Sequence, residues 1–327
     1  MRYLFIMILM FLTLNAKDDY VLGEGFQVSS LPFYIGGYFS LDYERDDDSK
    51  RYRLDDIAIL GYGNYKNFFY MAEFEYKEFY VKTIQNDNTL VSKNRKIYTE
   101  RLYFDYDFDE NYKVRFGKYN SPIGFWNLLP INILRETTSS PMSSSILFPK
   151  FTTGLDLVYT SYDSAELKVN MLIQNNNDID VGYNNYEIDK HYGFGLSYEK
   201  DEYTLKVNAG YFHDRELFYD NLYYLLISAK YESQKYQILT ELGTQRTLDK
   251  VTTNYAGYIQ GLYRFSQEHL GVIRLESYDD KVSSKNENFA VLGYTYRPTY
   301  PVAIKSEYQI HSKSDENKIL FSVSVLF

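Results

Sequence analysis

The sequence contains no cysteine, one tryptophan and seven prolines in 327 residues. The lack of cysteine excludes disulfides and thiolate chemistry. No run of about 18 apolar residues occurs, so the sequence has no candidate transmembrane helix. No phosphate-binding glycine loop or dinucleotide fingerprint is present. The net charge of −9, without a basic patch, argues against nucleic acid as a partner.

The N-terminus has the layout of a secretory signal peptide. Met1-Arg2 is followed by an apolar run from Tyr3 to Leu14, and the charged residues begin at Lys17. We predict a signal peptide over residues 1–16. The alternative is an uncleaved anchor, but twelve apolar residues span only about 18 Å as a helix, less than a ~30 Å hydrocarbon core. No linker or long repeat divides residues 17–327, which predicts a single domain.

What the sequence has in abundance is aromatic residues in alternating segments: 37 tyrosines and 22 phenylalanines. Tyrosine suits both the aromatic girdles of a bilayer interface and the wall of a wet channel. From Lys318 to Phe327, apolar residues alternate with Ser322 and Ser324. A period of two is typical of a strand between lipid and water. The same alternation occurs in the segments 101–108, 192–199, 203–211 and 302–310.

About sixteen such segments fit the mature chain, which leaves about 19 residues for each membrane strand and its connection. Tight turns alternate with longer polar connections, as in a meandering membrane barrel. We therefore predict an all-β protein: a transmembrane antiparallel up-and-down β-barrel with about 16 strands and both termini periplasmic. A soluble β-sandwich is the alternative. The longer loops are predicted at residues 45–49, 83–94, 120–150, 175–189, 214–219, 248–253, 279–287 and 312–316.

The third outer loop, from Asn120 to Lys150, is the longest and the least polar. A loop of this length with many apolar side chains needs a surface to pack on. We predict that it folds into the lumen and narrows it. The alternative is an extracellular cap with the same composition.

The segment Arg115-Phe-Gly-Lys-Tyr-Asn-Ser-Pro-Ile-Gly-Phe-Trp-Asn127 resembles the strand-to-loop passage of the phosphate-selective and related outer-membrane porin families. The resemblance covers essentially the whole mature chain. It implies a water-filled pore that is often trimeric, with loop three narrowing the lumen. It also implies that the barrel-assembly machinery reads the terminal Phe327. No Lys- or Arg-rich loop is present, so phosphate selectivity does not follow.

The alternation assigns charged side chains of both signs to the lumen, which is typical of a general hydrophilic channel. We expect Arg101 and Arg115 to form a basic wall at the constriction, with Arg135 or Glu136 of the long loop opposite. The alternative is that these charges are solvated and paired across strands. The remaining predicted inward residues are Arg53, Lys113, Lys168, Lys206, Arg264, Arg274, Lys305, Asp55, Glu73, Glu75, Asp105, Asp156, Glu241, Glu276 and Glu307.

Enzymatic and metal sites have little support. The four histidines, His191, His213, His269 and His311, are scattered, and none has a second ligand at metal spacing. A barrel hydrolase could use His213-Asp214, but no serine is placed beside them. Asp46-Asp47-Asp48 could bind Ca²⁺ weakly or form a solvated turn. We expect no enzyme activity, no metal site and no cofactor.

These observations predict an outer-membrane porin for passive diffusion of small hydrophilic solutes and ions. A surface protein whose loops serve adhesion or receptor contacts is the alternative. The expected partners are outer-membrane lipid and lipopolysaccharide, the barrel-assembly machinery, the diffusing solutes and two further copies in a homotrimer.

Overall fold

The computed structural model describes residues 20–21, 24–28, 31–86, 88–216, 220–312 and 316–327. The predicted signal peptide over residues 1–16 lies outside them. The strands of the described residues join one antiparallel sheet. They are β1 (Tyr20–Val21), β2 (Gly25–Gln27), β3 (Phe33–Arg45), β4 (Ser49–Tyr65), β5 (Phe68–Tyr76), β6 (Tyr80–Gln85), β7 (Asn88–Ser92), β8 (Tyr98–Asp107), β9 (Tyr112–Asn120), β10 (Phe151–Tyr162), β11 (Glu166–Asn175), β12 (Ile188–Lys200), β13 (Tyr203–Asp214), β14 (Asp220–Glu232), β15 (Tyr236–Arg246), β16 (Val251–Arg264), β17 (His269–Asp280), β18 (Lys285–Thr299), β19 (Val302–His311) and β20 (Lys318–Leu326).

The sheet closes on itself. β20 pairs with β3, with Phe321 opposite Tyr43, and Phe327 and Gly37 exchange two backbone hydrogen bonds of 2.7 Å. β5 and β6 both pair with β4, so together they form one interrupted strand. β8 pairs with β5, and β7 pairs with β6, so β7 and β8 form a second interrupted strand. Within the described residues, β3 to β20 thus occupy sixteen positions in the cylinder. The predicted barrel is confirmed: the cylinder closes between β20 and β3, and in the described part of the chain β7, which pairs only with β6, keeps a free edge.

The predicted alternation sorts side chains between the two faces of the wall. In β19, Ile304 and Tyr308 are 42% and 41% exposed, whereas Lys305 and Glu307 are 1% and 3% exposed. The same sorting holds in β20, where Phe321 faces out and Ser322 is buried. An apolar outer face and a polar inner face are what a barrel in lipid requires.

Three predicted loops are wrong in extent, one of them because residues 251–253 of the expected loop 248–253 belong to β16. Residues 83–94 were expected to be a loop but form most of the β6–β7 hairpin, in which Thr83 pairs with Leu90. The expected loop 279–287 shrinks to 281–284. All five residues of β7 are exposed. Such a strand has no alternation of apolar and polar residues, because neither of its faces is covered, and so its sequence looks like a loop.

Helical structure in the described residues is limited to single turns. They are the 3₁₀ turns Trp126–Leu128, Asn132–Leu134 and Val181–Tyr183 and the helix α1 (Ser143–Ile146). No helix in this part of the chain is long and apolar enough to cross a membrane. Most of these turns belong to the connection between β9 and β10, residues 121–150, which we call the L3 segment.

Candidate pore and its lining

The L3 segment is held against the inner face of the barrel by three buried carboxylates. Glu241, Glu276 and Glu307 lie on β15, β17 and β19, at inward positions of alternate strands. Each accepts hydrogen bonds from backbone N–H groups of L3. The donors are Phe125 and Trp126 (3.2 Å) to Glu241, Met142 (2.9 Å) to Glu276, and Thr138 (2.9 Å) and Ser139 (3.1 Å) to Glu307.

Basic side chains of the wall bind L3 through its oxygen atoms. Arg274, fully buried on β17, donates to Thr137 Oγ1 at 2.8 Å and to Ser139 Oγ at 2.7 Å. Lys305 donates to the carbonyl of Asn132 and to its Oδ1 at 2.6 Å. Lys206 reaches the Gly124 carbonyl at 3.2 Å, and Arg297 the Ile133 carbonyl at 2.8 Å. Most of the inward charges expected to tune the lumen on this side therefore hold the loop instead.

Apolar side chains of L3 pack on apolar patches of the inner wall. Ile131 and Ile133 lie against Ala58, Leu60 and Ala303. At the other end of L3, Leu147 and Phe148 join a cluster of wall residues that includes Leu226 and Tyr224. Full burial of such a side chain contributes about 1.5–3 kcal/mol. These contacts and the hydrogen bonds above join L3 to inward-facing side chains of the wall; the prediction that the loop folds into the lumen and narrows it stays a prediction.

The two arginines expected to form a basic wall are engaged in ion pairs with neighbouring strands. Arg101 pairs with Glu73, which lies directly opposite it on β5. Arg115 forms two hydrogen bonds of 2.7 Å with Asp105, opposite it on β8, and its guanidinium lies 4.2 Å from the ring centre of Tyr103. A bidentate pair of this kind fixes the arginine in the wall. Both arginines therefore match the alternative expectation, in which these charges are paired across strands.

The two L3 residues expected opposite that wall differ in their surroundings. Arg135 donates to the carbonyls of Leu129 and Pro130, both at 2.8 Å, and lines a polar cavity of the lumen. Glu136 forms an ion pair of 3.1 Å with Arg297 on β18. Of these two L3 residues, Arg135 is therefore the one that lines the cavity.

The cavity beside Arg135 encloses about 420 Å³. Its wall side carries six carboxylates, which we call the acidic arc: Asp42, Glu44, Asp55, Asp56, Glu75 and Glu100. Arg135 and Lys150 contribute cations from L3. Lys150 stands just before β10, and burial, together with repulsion from Arg135 and Lys77, lowers the pKa of its ammonium group to about 8. A second cavity of about 670 Å³ shares Ser139, Ser140, Gln309 and Lys318 with the first.

The residues predicted to face inward did not include Asp42, Glu44, Asp56 or Glu100 of the acidic arc, and the last two lie at irregular strand pairings. Asp56 lies where the pairing of β3 and β4 shifts between Phe39 and Leu41, and Ser40 contacts it at 3.3 Å. Glu100 lies at the corresponding shift between β5 and β8. A β-bulge inserts an extra residue and can turn two successive side chains to one face. Nothing in the local sequence marks either bulge.

Two other clusters complete the candidate sites. The expectation that no histidine has a second potential ligand is wrong for His311, which lies beside Glu287 and Glu316. Its Nδ1 contacts Glu287, and its Nε2 lies 3.1 Å from Gln309 Oε1, so both ring nitrogens already face acceptors. Asp46 caps its own turn by accepting from the amides of Asp48 (2.9 Å) and Ser49 (2.5 Å). This arrangement fits the solvated turn rather than a Ca²⁺ loop.

No protein-family model matches the sequence, and no curated protein matches it significantly. Solved structures do match. OprB from Pseudomonas putida at low pH aligns with a TM-score of 0.63 and 10% identity, over 90% of this chain and 93% of that chain. The barrel has the bacterial porin fold. OmpF from Salmonella typhi, in complex with daunomycin, and an anion-selective porin from Comamonas acidovorans each align with a TM-score of 0.61 and 9% identity, over 90% of this chain and 97% or 98% of theirs. The narrower resemblance to phosphate-selective porins stays a prediction.

Proposed function

We propose that the protein is a porin of the bacterial outer membrane that lets small hydrophilic solutes and ions diffuse down their gradients. The observation that carries the proposal is a closed barrel, apolar outside, in which L3 leaves a cavity lined by charged and hydroxyl side chains. A protein that used its barrel only as a platform would gain nothing from a polar interior shaped by an inward loop.

The mechanism we propose is size exclusion at L3, tuned by charge. Solutes enter through the cavity of about 670 Å³ and continue through the cavity of about 420 Å³, where they pass between Arg135 and the acidic arc. The two cavities share Ser139 and Ser140. Opposed charges across a narrow, wet passage orient dipolar solutes and set ion preference. Arg101, Arg115 and Glu136 contribute to this field as ion-paired groups, and Arg135 as the facing cation. No enzymatic step and no cofactor belongs to the proposal.

The proposal extends to processing and assembly. Residues 1–16 direct export and are removed, and both termini face the periplasm, on the side of the short turns. Residues 17–327 form the barrel domain. The barrel-assembly machinery recognises the terminal strand through Phe327, and the apolar outer face contacts lipid and lipopolysaccharide. The folded chains associate as a homotrimer, which light scattering of the purified protein in detergent would establish or reject.

Conductance in planar bilayers tests the central proposal. The refolded protein should give steady open channels, and Ser140→Trp should lower their conductance because Ser140 lines both cavities. Ser161→Trp is the matched control, since Ser161 is the next outward-facing position after Leu157 and Tyr159 in the alternation of β10. Absence of channels from correctly folded protein would reject the pore in favour of an adhesion or receptor platform. If the two tryptophans changed the conductance equally, L3 would not line the passage.

A further inference from the structure

A group of three buried carboxylates surrounds one tyrosine in the barrel wall. Glu73, Glu75 and Glu100 are 0%, 1% and 4% exposed, and the Tyr38 hydroxyl lies 2.7, 3.0 and 3.1 Å from an oxygen of each. The residues come from β3, β5 and β8. We propose that this group, the Tyr38 cluster, binds one divalent cation of the calcium class.

The cluster has too few hydrogen-bond donors for its acceptors. A tyrosine hydroxyl carries one proton, so it can donate to only one of the three carboxylates at a time. Arg101 forms an ion pair with Glu73. Among the described residues, Tyr38 is the N–H or hydroxyl donor that reaches Glu75 and Glu100, and the two carboxyl groups also lie within hydrogen-bond reach of each other. Oxygen atoms that approach this closely without a hydrogen between them repel each other, and a cation at their centre removes the repulsion.

The charge balance leads to the same conclusion. When the three carboxylates are ionised they carry −3 and Arg101 carries +1, which leaves −2 in a buried group. Uncompensated buried charge costs several kcal/mol for each ion. One divalent cation neutralises this charge. Asp56 lies within hydrogen-bond reach of Glu75, and Arg135 of L3 is a cation that acts on it.

An independent observation concerns the free oxygen of Glu75. Its Oε1 is buried and accepts no hydrogen bond from an N–H or hydroxyl group in the described part of the chain, although Glu75 lines the 420 Å³ cavity. A buried carboxylate oxygen left without a partner is costly unless a ligand occupies its lone pairs. The cavity offers a route for an ion and space for the waters that complete its coordination.

The donor set selects the ion. Every ligand is a carboxylate or hydroxyl oxygen, and hard oxygen ligands suit Ca²⁺ or Mg²⁺ rather than Zn²⁺, which prefers nitrogen and sulfur. Three carboxylates, two from β5 and one from β8, supply up to six oxygens, within the range that Ca²⁺ takes. The smaller Mg²⁺ demands near-ideal octahedral geometry, which a site assembled from three strands meets less readily.

Terbium luminescence tests the site, because Tyr38 would act as the antenna for Tb³⁺ in the calcium position. Chelator-treated wild-type protein in detergent should bind one Tb³⁺ that Ca²⁺ displaces. Glu75→Gln combined with Glu100→Gln should weaken Ca²⁺ binding by about 100-fold or more, because the number of charged ligands sets the affinity. Asp156→Asn, an inward carboxylate on β10 with Asn170 as its partner, should keep wild-type affinity.

Two results would overturn the proposal. One is wild-type protein that shows no saturable Ca²⁺ binding, which would mean that the carboxylates share protons instead. The other is equal Ca²⁺ affinity of the wild type and the folded double variant. The wild-type measurement decides even if the variant misfolds. Binding is measured without a membrane, so its outcome is independent of whether the protein conducts ions.

Discussion

Replacing Glu307 with glutamine should loosen the L3 segment from the barrel wall. The Glu307 carboxylate accepts hydrogen bonds from the amides of Thr138 and Ser139 and from the Ser139 hydroxyl. Hydrogen bonds to a charged group contribute about 1.5–3 kcal/mol and neutral ones about 0.5–1.5 kcal/mol. A loss of about 1 kcal/mol at each of three bonds gives about 3 kcal/mol, which raises the undocked population of L3 about 100-fold.

A single cysteine can report this undocking, because the native chain contains none. Ser143 is 1% exposed, and its hydroxyl has no hydrogen-bond partner among the described residues, so Ser143→Cys sacrifices no contact of that kind. Biotin–maleimide should label Ser143→Cys about 100-fold faster when Glu307→Gln is added, provided that labelling follows the undocked population. Glu232→Gln is the control, since Glu232 at the end of β14 forms its ion pair with Arg264 of β16 rather than with L3.

If the two Ser143→Cys proteins label at the same rate, the carboxylate of Glu307 does not anchor L3. Fast labelling of Ser143→Cys by itself would show that L3 is undocked even with every anchor present, and the inward position would be wrong.

Three further predictions concern the lumen and the closure of the barrel. Arg135→Glu should shift the reversal potential in a salt gradient towards cation selectivity, with Arg135→Lys unchanged; an identical shift in both would show that size rather than charge matters. Because the pKa of Lys150 is lowered to about 8, its ammonium is lost as the pH rises through that value, so cation preference should increase between about pH 7 and 9. Lys150→Met should abolish this pH dependence. If the pH dependence persisted in Lys150→Met, another titrating group would be its source. Phe327→Ala should lower the temperature at which the folded band disappears on gels, because the ring packs beside Gly37 and contributes about 1–2 kcal/mol; an unchanged temperature would refute a role in closure.

The barrel was predictable from the sequence because one physical rule governs every membrane strand. A side chain faces either lipid or the interior, so Ile304 and Lys305 had to take opposite sides. The rule fails where its cause is absent. β7 has water on both faces, so its residues carry no alternation, and the hairpin that it forms with β6 looked like a loop.

The candidate site was less predictable, because its contacts join residues that are far apart in the chain. One pair could have been found: Asp105 and Arg115 are equidistant from the tight turn around Glu110, so the hairpin register alone places them opposite each other. Glu73 and Arg101 required the unrecognised β6–β7 hairpin. Glu100 required a bulge that the local sequence does not mark.

The inner wall divides into two parts with different tasks, and this division can be tested directly. On β15, β17 and β19, charged side chains are used to hold L3, so changing Glu307 should alter the position of the loop. On β3 to β8, the acidic arc faces the cavity, so Asp55→Asn should reduce cation preference while leaving the labelling rate of Ser143→Cys unchanged. Asp55 is suitable because Arg53 keeps Asp42 as a second partner at 3.5 Å. If Asp55→Asn also accelerated labelling, the acidic arc would be part of the loop anchor, and selectivity could not be separated from the position of L3.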